Sequence, residues 1–133
     1  MFEENLIPPN MALVEFTYLD QESMDTILDL MDGDREMVTD LIDTHLEVMP
    51  GLLTQFKSGM EAGNPQEVKE AAHAMKSSNA QFGALHFAQL CQTAENIAKG
   101  GSLDGMDDLY AEIRAEFEKV ESALDSWKTH LNT

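Results

Sequence analysis

Met106, Tyr110, Ile113, Phe117, Val120, Leu124, Trp127 and Leu131 follow one another at intervals of four and three residues, and this stripe limits what the chain can become. Such spacing keeps every one of these side chains on one side of an α-helix. A helix predicted from about Leu103 to Leu131 would leave the whole stripe in water unless other helices cover it. Covering it is strongly favourable, since burying one large apolar side chain is worth about 1.5–3 kcal/mol. The chain must therefore supply helices of similar length.

Three such partners are legible upstream. From Arg35 to about Met60, the residues Leu41, Ile42, His45, Met49, Leu52, Leu53 and Phe56 share one face. Pro50 lies inside this run, where it removes a backbone donor, but the stripe stays in phase across it, so a kink is expected and not two elements. Asn64-Pro65 offers a cap and a first-turn proline for the next helix, with Val68, Ala71, Ala72, Met75, Asn79 and Phe82 facing inward. Gly83 marks the turn, Phe87, Leu90, Cys91, Ala94, Ile97 and Ala98 form the next stripe, and Gly100-Gly101 ends it. A shorter stripe, Met24, Ile27, Leu28 and Met31, is stopped by Asp32-Gly33-Asp34. Nothing alternates as a strand would. The expected fold is all-α, an antiparallel up-down-up-down four-helix bundle with a short additional N-terminal helix over one end. Residues 1–17, with Pro8-Pro9 and no sustained period, read as an N-terminal extension, and residues 18–133 as the bundle domain.

Charge narrows the partners. Eight Lys and Arg against 25 Asp and Glu give a formal charge of −17, which repels nucleic acid and anionic lipid surfaces. The lone Cys91 falls on an apolar stripe and reads as a small buried hydrophobe. No secretory leader pattern and no run of about 18 apolar residues is present, so the expected location is the cytoplasm.

Against this acidic background one helix face is cationic. On the wheel of the helix that starts at Pro65, the residues Lys69, His73, Lys76, Ser77 and Ala80 fall opposite the apolar stripe. His73 is thereby expected in solvent, an imidazole nucleophile between two ammonium groups. Lys76, three residues on, shares its face and can reach a group carried on the ring, and Lys69, one turn earlier, adds to the field. His45 sits within an apolar stripe and reads as a hydrogen-bonded core histidine, while His86 and His130 read as surface residues.

The run His73, Met75, Lys76, Ser78, Phe82-Gly83-Ala84, Phe87-Ala88, Leu90 and Glu95 closely resembles the histidine-containing phosphotransfer (HPt) domain. That family's signature reads His-x-Leu-Lys-Gly-Ser, then a hydrophobic residue with Gly-Ala, then a helix ending in Glu. The match is ungapped and extends in looser form from about Leu19 to Leu124. Met75 replaces the family's leucine at similar volume, and Ser77 stands where the family usually has glycine.

The resemblance implies that His73 is the phosphoacceptor and that Lys76 serves the phosphoryl group electrostatically. It implies receiver domains of response regulators or hybrid kinases as partners, which would bring the acceptor aspartate and its magnesium. The docking surface would comprise Lys69, Ser77, Ala80, Leu85, Ala88, Gln92 and Glu95. The module would be a monomeric phosphocarrier without a cofactor. Gly33 and Gly100-Gly101 are isolated helix ends that do not form a nucleotide loop, so no enzyme with its own ATP site is expected.

Two other readings compete. Glu70-x-x-His73 has the spacing of di-iron bundle ligands, but such bundles need it twice, and Ile42, Gly83 and Trp127 precede the other histidines by three, so no metal is expected. A helical adaptor that binds a partner through an exposed face without chemistry is the alternative if His73 is never modified.

Overall fold

The computed structural model describes residues 18–132 as five helices with no strand among them. They are α1 (Gln21–Leu30), α2 (Arg35–Glu61), α3 (Pro65–Ala80), α4 (Leu85–Lys99) and α5 (Met106–Leu131). The expected extension, residues 1–17, lies outside the described residues, as does residue 133.

The caps follow the local chemistry. Asp20, Asp34 and Asn64 each accept a hydrogen bond from a first-turn amide, at Ser23, Met37 and Glu67. Pro65 begins α3, where its missing N–H leaves nothing unsatisfied. α2 runs unbroken through Pro50. Two boundaries differ from expectation. α5 begins at Met106 instead of Leu103, because Gly105 takes a left-handed backbone (φ 72°) immediately before it. Phe82 lies beyond the end of α3, buried in the turn that follows.

α2 packs on α3, α3 on α4, α4 on α5, and α5 returns to α2, so the four apolar stripes enclose one core. Trp127, Phe56, Phe82 and Phe87 are its largest fully buried side chains. Val38, Leu109 and Ala123 are buried as well, outside the stripes read from the sequence. At Gly59 the helices α2 and α3 nearly touch: a Cβ there would stand 2.8 Å from Glu67 Cβ and 3.0 Å from the backbone nitrogen of Val68.

One polar pair is enclosed with this core. His45, 6% exposed, meets fully buried Asn79 through Nε2 and Oδ1 at 3.1 Å. The Asn79 amide nitrogen donates to the Met75 carbonyl at 2.8 Å, so its oxygen is the acceptor and His45 carries a proton on Nε2. The ring lies 4.9 Å from Phe82 and 6.4 Å from Phe117, and burial holds its pKa below the ordinary 6.5. This pair ties α3 to α2 on the side away from His73.

α1 is held at the turn between α3 and α4. The amide of Asp20 donates to the Gly83 carbonyl at 2.9 Å. Gly83 itself has φ +79°, and a Cβ there would stand 2.6 Å from the Asp20 nitrogen, so glycine is required both by conformation and by space. Among the described residues no helix is long and apolar enough to cross a membrane.

Candidate functional site

His73 lies near the middle of α3 with its side chain 60% exposed, as the wheel predicts. Its Nδ1 is 3.0 Å from Oε2 of Glu95 on α4. The other oxygen of that carboxylate accepts from Lys76 Nζ at 2.8 Å, and the same ammonium donates to Gln92 Oε1 at 2.8 Å. Gln92 in turn donates through Nε2 to Asn96 Oδ1 at 2.8 Å, which fixes which end of its amide faces Lys76. His73 pairs with Glu95 and Lys76 with Gln92, so rising numbers on α3 meet falling numbers on α4, as in a helical hairpin.

The Glu95 carboxylate decides which ring nitrogen of His73 faces it with a hydrogen. Glu95 is held below the usual carboxylate range, mainly by its hydrogen bond from Lys76 and secondarily by His73, against some opposing desolvation. An ionised carboxylate can only accept, so Nδ1 of His73 carries hydrogen. The lone pair of the neutral ring is then on Nε2, at the end of the ring turned away from Glu95.

Two open hollows flank this cluster. One is a groove of about 620 Å³ lined by Lys76, Ser77, Ala80, Leu85, Ala88 and Gln92, with His86 and Gln89 at its edge. Most of the expected docking residues are thus brought together on one surface, and Leu85 is 57% exposed there. The other hollow, beside the imidazole, contains Lys69, Gln66, Glu70, Ala74, His73 and Glu95.

Two of the expected residues are paired with one another more closely than a single helix shows. Glu95, expected to line the docking surface, has a side chain only 17% exposed, and its carboxylate is taken up by His73 and Lys76. The Lys76 ammonium, expected to reach a group carried on the ring, donates here to Glu95 and Gln92. Both follow from the proximity of α4, which a wheel of α3 alone does not include. A signal was present in the spacing: His73 lies ten residues before Gly83 and Glu95 twelve after it, nearly equal arms about one turn. Asn96, which orients Gln92, was not singled out by any pattern.

Glu70 is exposed and accepts from Gln66, and no group of three or more His, Cys, Asp or Glu among the described residues is placed to hold a metal ion. His86 is exposed 3.9 Å from Glu116, and His130 is half-buried. Cys91 is fully buried, and desolvation pushes its thiol up to about 12.

A family model described as Hpt domain matches residues 36–123. Among solved structures the chain is similar to histidine-containing phosphotransfer protein B (HptB) from Pseudomonas aeruginosa PAO1, with a TM-score of 0.78 and 22% identity over 84% of this chain and 95% of that one. At that identity the likeness speaks for the fold. No curated protein sequence matches the chain.

Proposed function

The chain belongs to the Hpt domain family, and from that premise we propose that it is a phosphocarrier of a two-component phosphorelay, taking a phosphoryl group on His73 from one receiver-domain aspartate and passing it to another. The observation that carries this reading is the hydrogen bond from Nδ1 of His73 to Glu95 at 3.0 Å, which in the neutral ring puts the nucleophilic lone pair on Nε2.

The reaction can be written through that atom. The Nε2 lone pair attacks phosphorus of the aspartyl phosphate, the Nε2–P bond forms, and the P–O bond to the aspartate breaks, with the electron pair leaving on the carboxylate. Because Nδ1 keeps its hydrogen, the phosphorylated ring carries positive charge, and the Glu95 carboxylate stands beside it to compensate. In the return step the same ring leaves as a neutral imidazole, so the carrier needs no proton exchange with water. Lys76 serves the phosphoryl oxygens once its ammonium turns from Glu95 and Gln92 toward them, and Lys69 adds positive potential from the preceding turn.

In this reading residues 18–133 form an antiparallel up-down-up-down four-helix bundle, residues 1–17 an extension, and the monomer docks its receiver over Lys69, Ser77, Ala80, Leu85, Ala88 and Gln92. The in-line geometry and the magnesium belong to the receiver, so the chain carries phosphate without an ATP site of its own and acts in the cytoplasm. Incubation with a ³²P-labelled receiver tests the assignment. Label should pass to the wild type as an acid-labile, base-stable adduct and be absent from His73→Gln of unchanged circular dichroism. Label retained by that variant would refute it, and no label on either protein would leave the adaptor reading in its place.

A further inference from the structure

We propose that Gln92, held by Asn96, is a positioning residue that restrains the Lys76 ammonium away from the reacting nitrogen of His73, and that breaking this restraint is part of the barrier to transfer. The effect on transfer rests on the reading above, whereas the restraint itself does not. At rest the ammonium lies between two acceptors of α4, 2.8 Å from Glu95 Oε1 and 2.8 Å from Gln92 Oε1. The Lys76 side chain is only 25% exposed, so water competes weakly for these charge-assisted bonds. The carboxylate that takes the ammonium also meets Nδ1 of His73, whereas the transfer written above takes place at Nε2, the other ring nitrogen. Lys76 must therefore leave its resting place before it can serve the phosphoryl oxygens.

The two acceptors part company once the ring is phosphorylated. Glu95 then has a positive ring to pair with, through the same Nδ1 contact it makes at rest. Gln92 brings no charge to the ring or to the phosphoryl group, so its amide oxygen does one thing, which is to hold the ammonium. That oxygen is kept in place from the far end of the amide. Nε2 of Gln92 donates to Asn96 Oδ1 at 2.8 Å, one turn further along α4, and this bond keeps Oε1 toward Lys76. With the amide turned over, an N–H donor would face the ammonium instead. Asn96 is exposed and lies outside both hollows that flank the site, so its effect on Lys76 runs through Gln92.

The restraint is read without any receiver, from ¹⁵N relaxation of the Lys76 ammonium in the full chain. The ammonium should be ordered in the wild type and mobile both in Gln92→Met, whose thioether is a poor acceptor, and in Asn96→Ala. Equal order in all three proteins would overturn the proposal, whether or not His73 carries phosphate. Transfer is read in single turnovers from a ³²P-labelled receiver, as a limiting rate and a half-saturating concentration. Gln92→Met should raise the limiting rate about three- to fivefold, and Gln92→Glu, with a charged acceptor, should lower it by at least about threefold. Asn96→Ala should raise it about twofold in the wild type and leave it unchanged in Gln92→Met, because residues that act through one another are not additive. A limiting rate that falls in Gln92→Met would overturn the proposal by making Gln92 an aid to transfer. A change confined to the half-saturating concentration would do so by making it a docking contact, and an Asn96 effect that persists in Gln92→Met would break the path through Gln92. Failure of the carrier reading shows separately, as absence of label on the wild type.

Discussion

Replacing Glu95 by alanine removes the acceptor that holds hydrogen on Nδ1 of His73 and, with it, one of the two partners of the Lys76 ammonium. Two consequences of opposite sign follow. The His73 side chain is 60% exposed, so water takes over part of the lost bond, and the net worth of that bond is about 1 kcal/mol. Losing it lowers the share of rings with a free Nε2 lone pair by up to about fivefold, since 1.4 kcal/mol corresponds to a factor of ten. Loss of the carboxylate charge beside the phosphorylated ring costs about another 1 kcal/mol at the exposed surface. Against this, Lys76 is freed to move toward the phosphoryl group. If tautomer and charge dominate, Glu95→Ala slows transfer by about five- to twentyfold, and Glu95→Gln, which keeps an oxygen, slows it less. Stability should fall by less than about 1 kcal/mol. Rapid-quench transfer from a phosphorylated receiver gives the rates, and ¹⁵N chemical shifts of the imidazole give the tautomer. Transfer in Glu95→Ala at or above the wild-type rate, with hydrogen still on Nδ1, would refute this reasoning and reduce Glu95 to a restraint on Lys76.

Lys76→Ala should slow transfer by about ten- to hundredfold, because a desolvated ammonium beside a phosphoryl group is worth up to a few kcal/mol, while the melting temperature hardly moves. Ser77 lines the groove and is exposed, so Ser77→Phe should keep the fold and weaken receiver binding by at least about tenfold, measured by calorimetry. His45 gives a pH dependence. Burial lowers its pKa in the folded protein from the ordinary 6.5, so below that pH the unfolded chain binds more protons and stability falls as pH decreases. Urea titrations should show a slope of at most about 1.4 kcal/mol per pH unit from this group below about pH 6.5, and His45→Gln should flatten it.

Much of this molecule was legible because helices with one apolar stripe have few ways to hide it. The stripes of α2 to α5 were read directly, and so was the outward face of His73, since both depend only on the period of a single helix. What depends on two elements was harder to read. Val38, Leu109 and Ala123 are covered by neighbours whose rotation a single wheel does not fix. Glu95 reads as an outward residue of α4, and its capture by His73 and Lys76 depends on the register of α3 against α4. Gly83 was legible as a turn, but its contact with Asp20 joins segments far apart in sequence. The wheel that carried Phe82 inward was right about burial, although the helix stops at Ala80 and the ring enters the core from the turn.

The proposed transfer turns on one atom, Nε2 of His73. Uniformly ¹⁵N-labelled protein, phosphorylated by a receiver and observed at pH 8 through the imidazole nitrogens and their coupling to phosphorus, identifies the site of attachment directly. Phosphorus is expected on Nε2 of His73, with Nδ1 still bonded to hydrogen and sensitive to Glu95→Ala. Phosphorus on Nδ1, or on His45, His86 or His130, would contradict it.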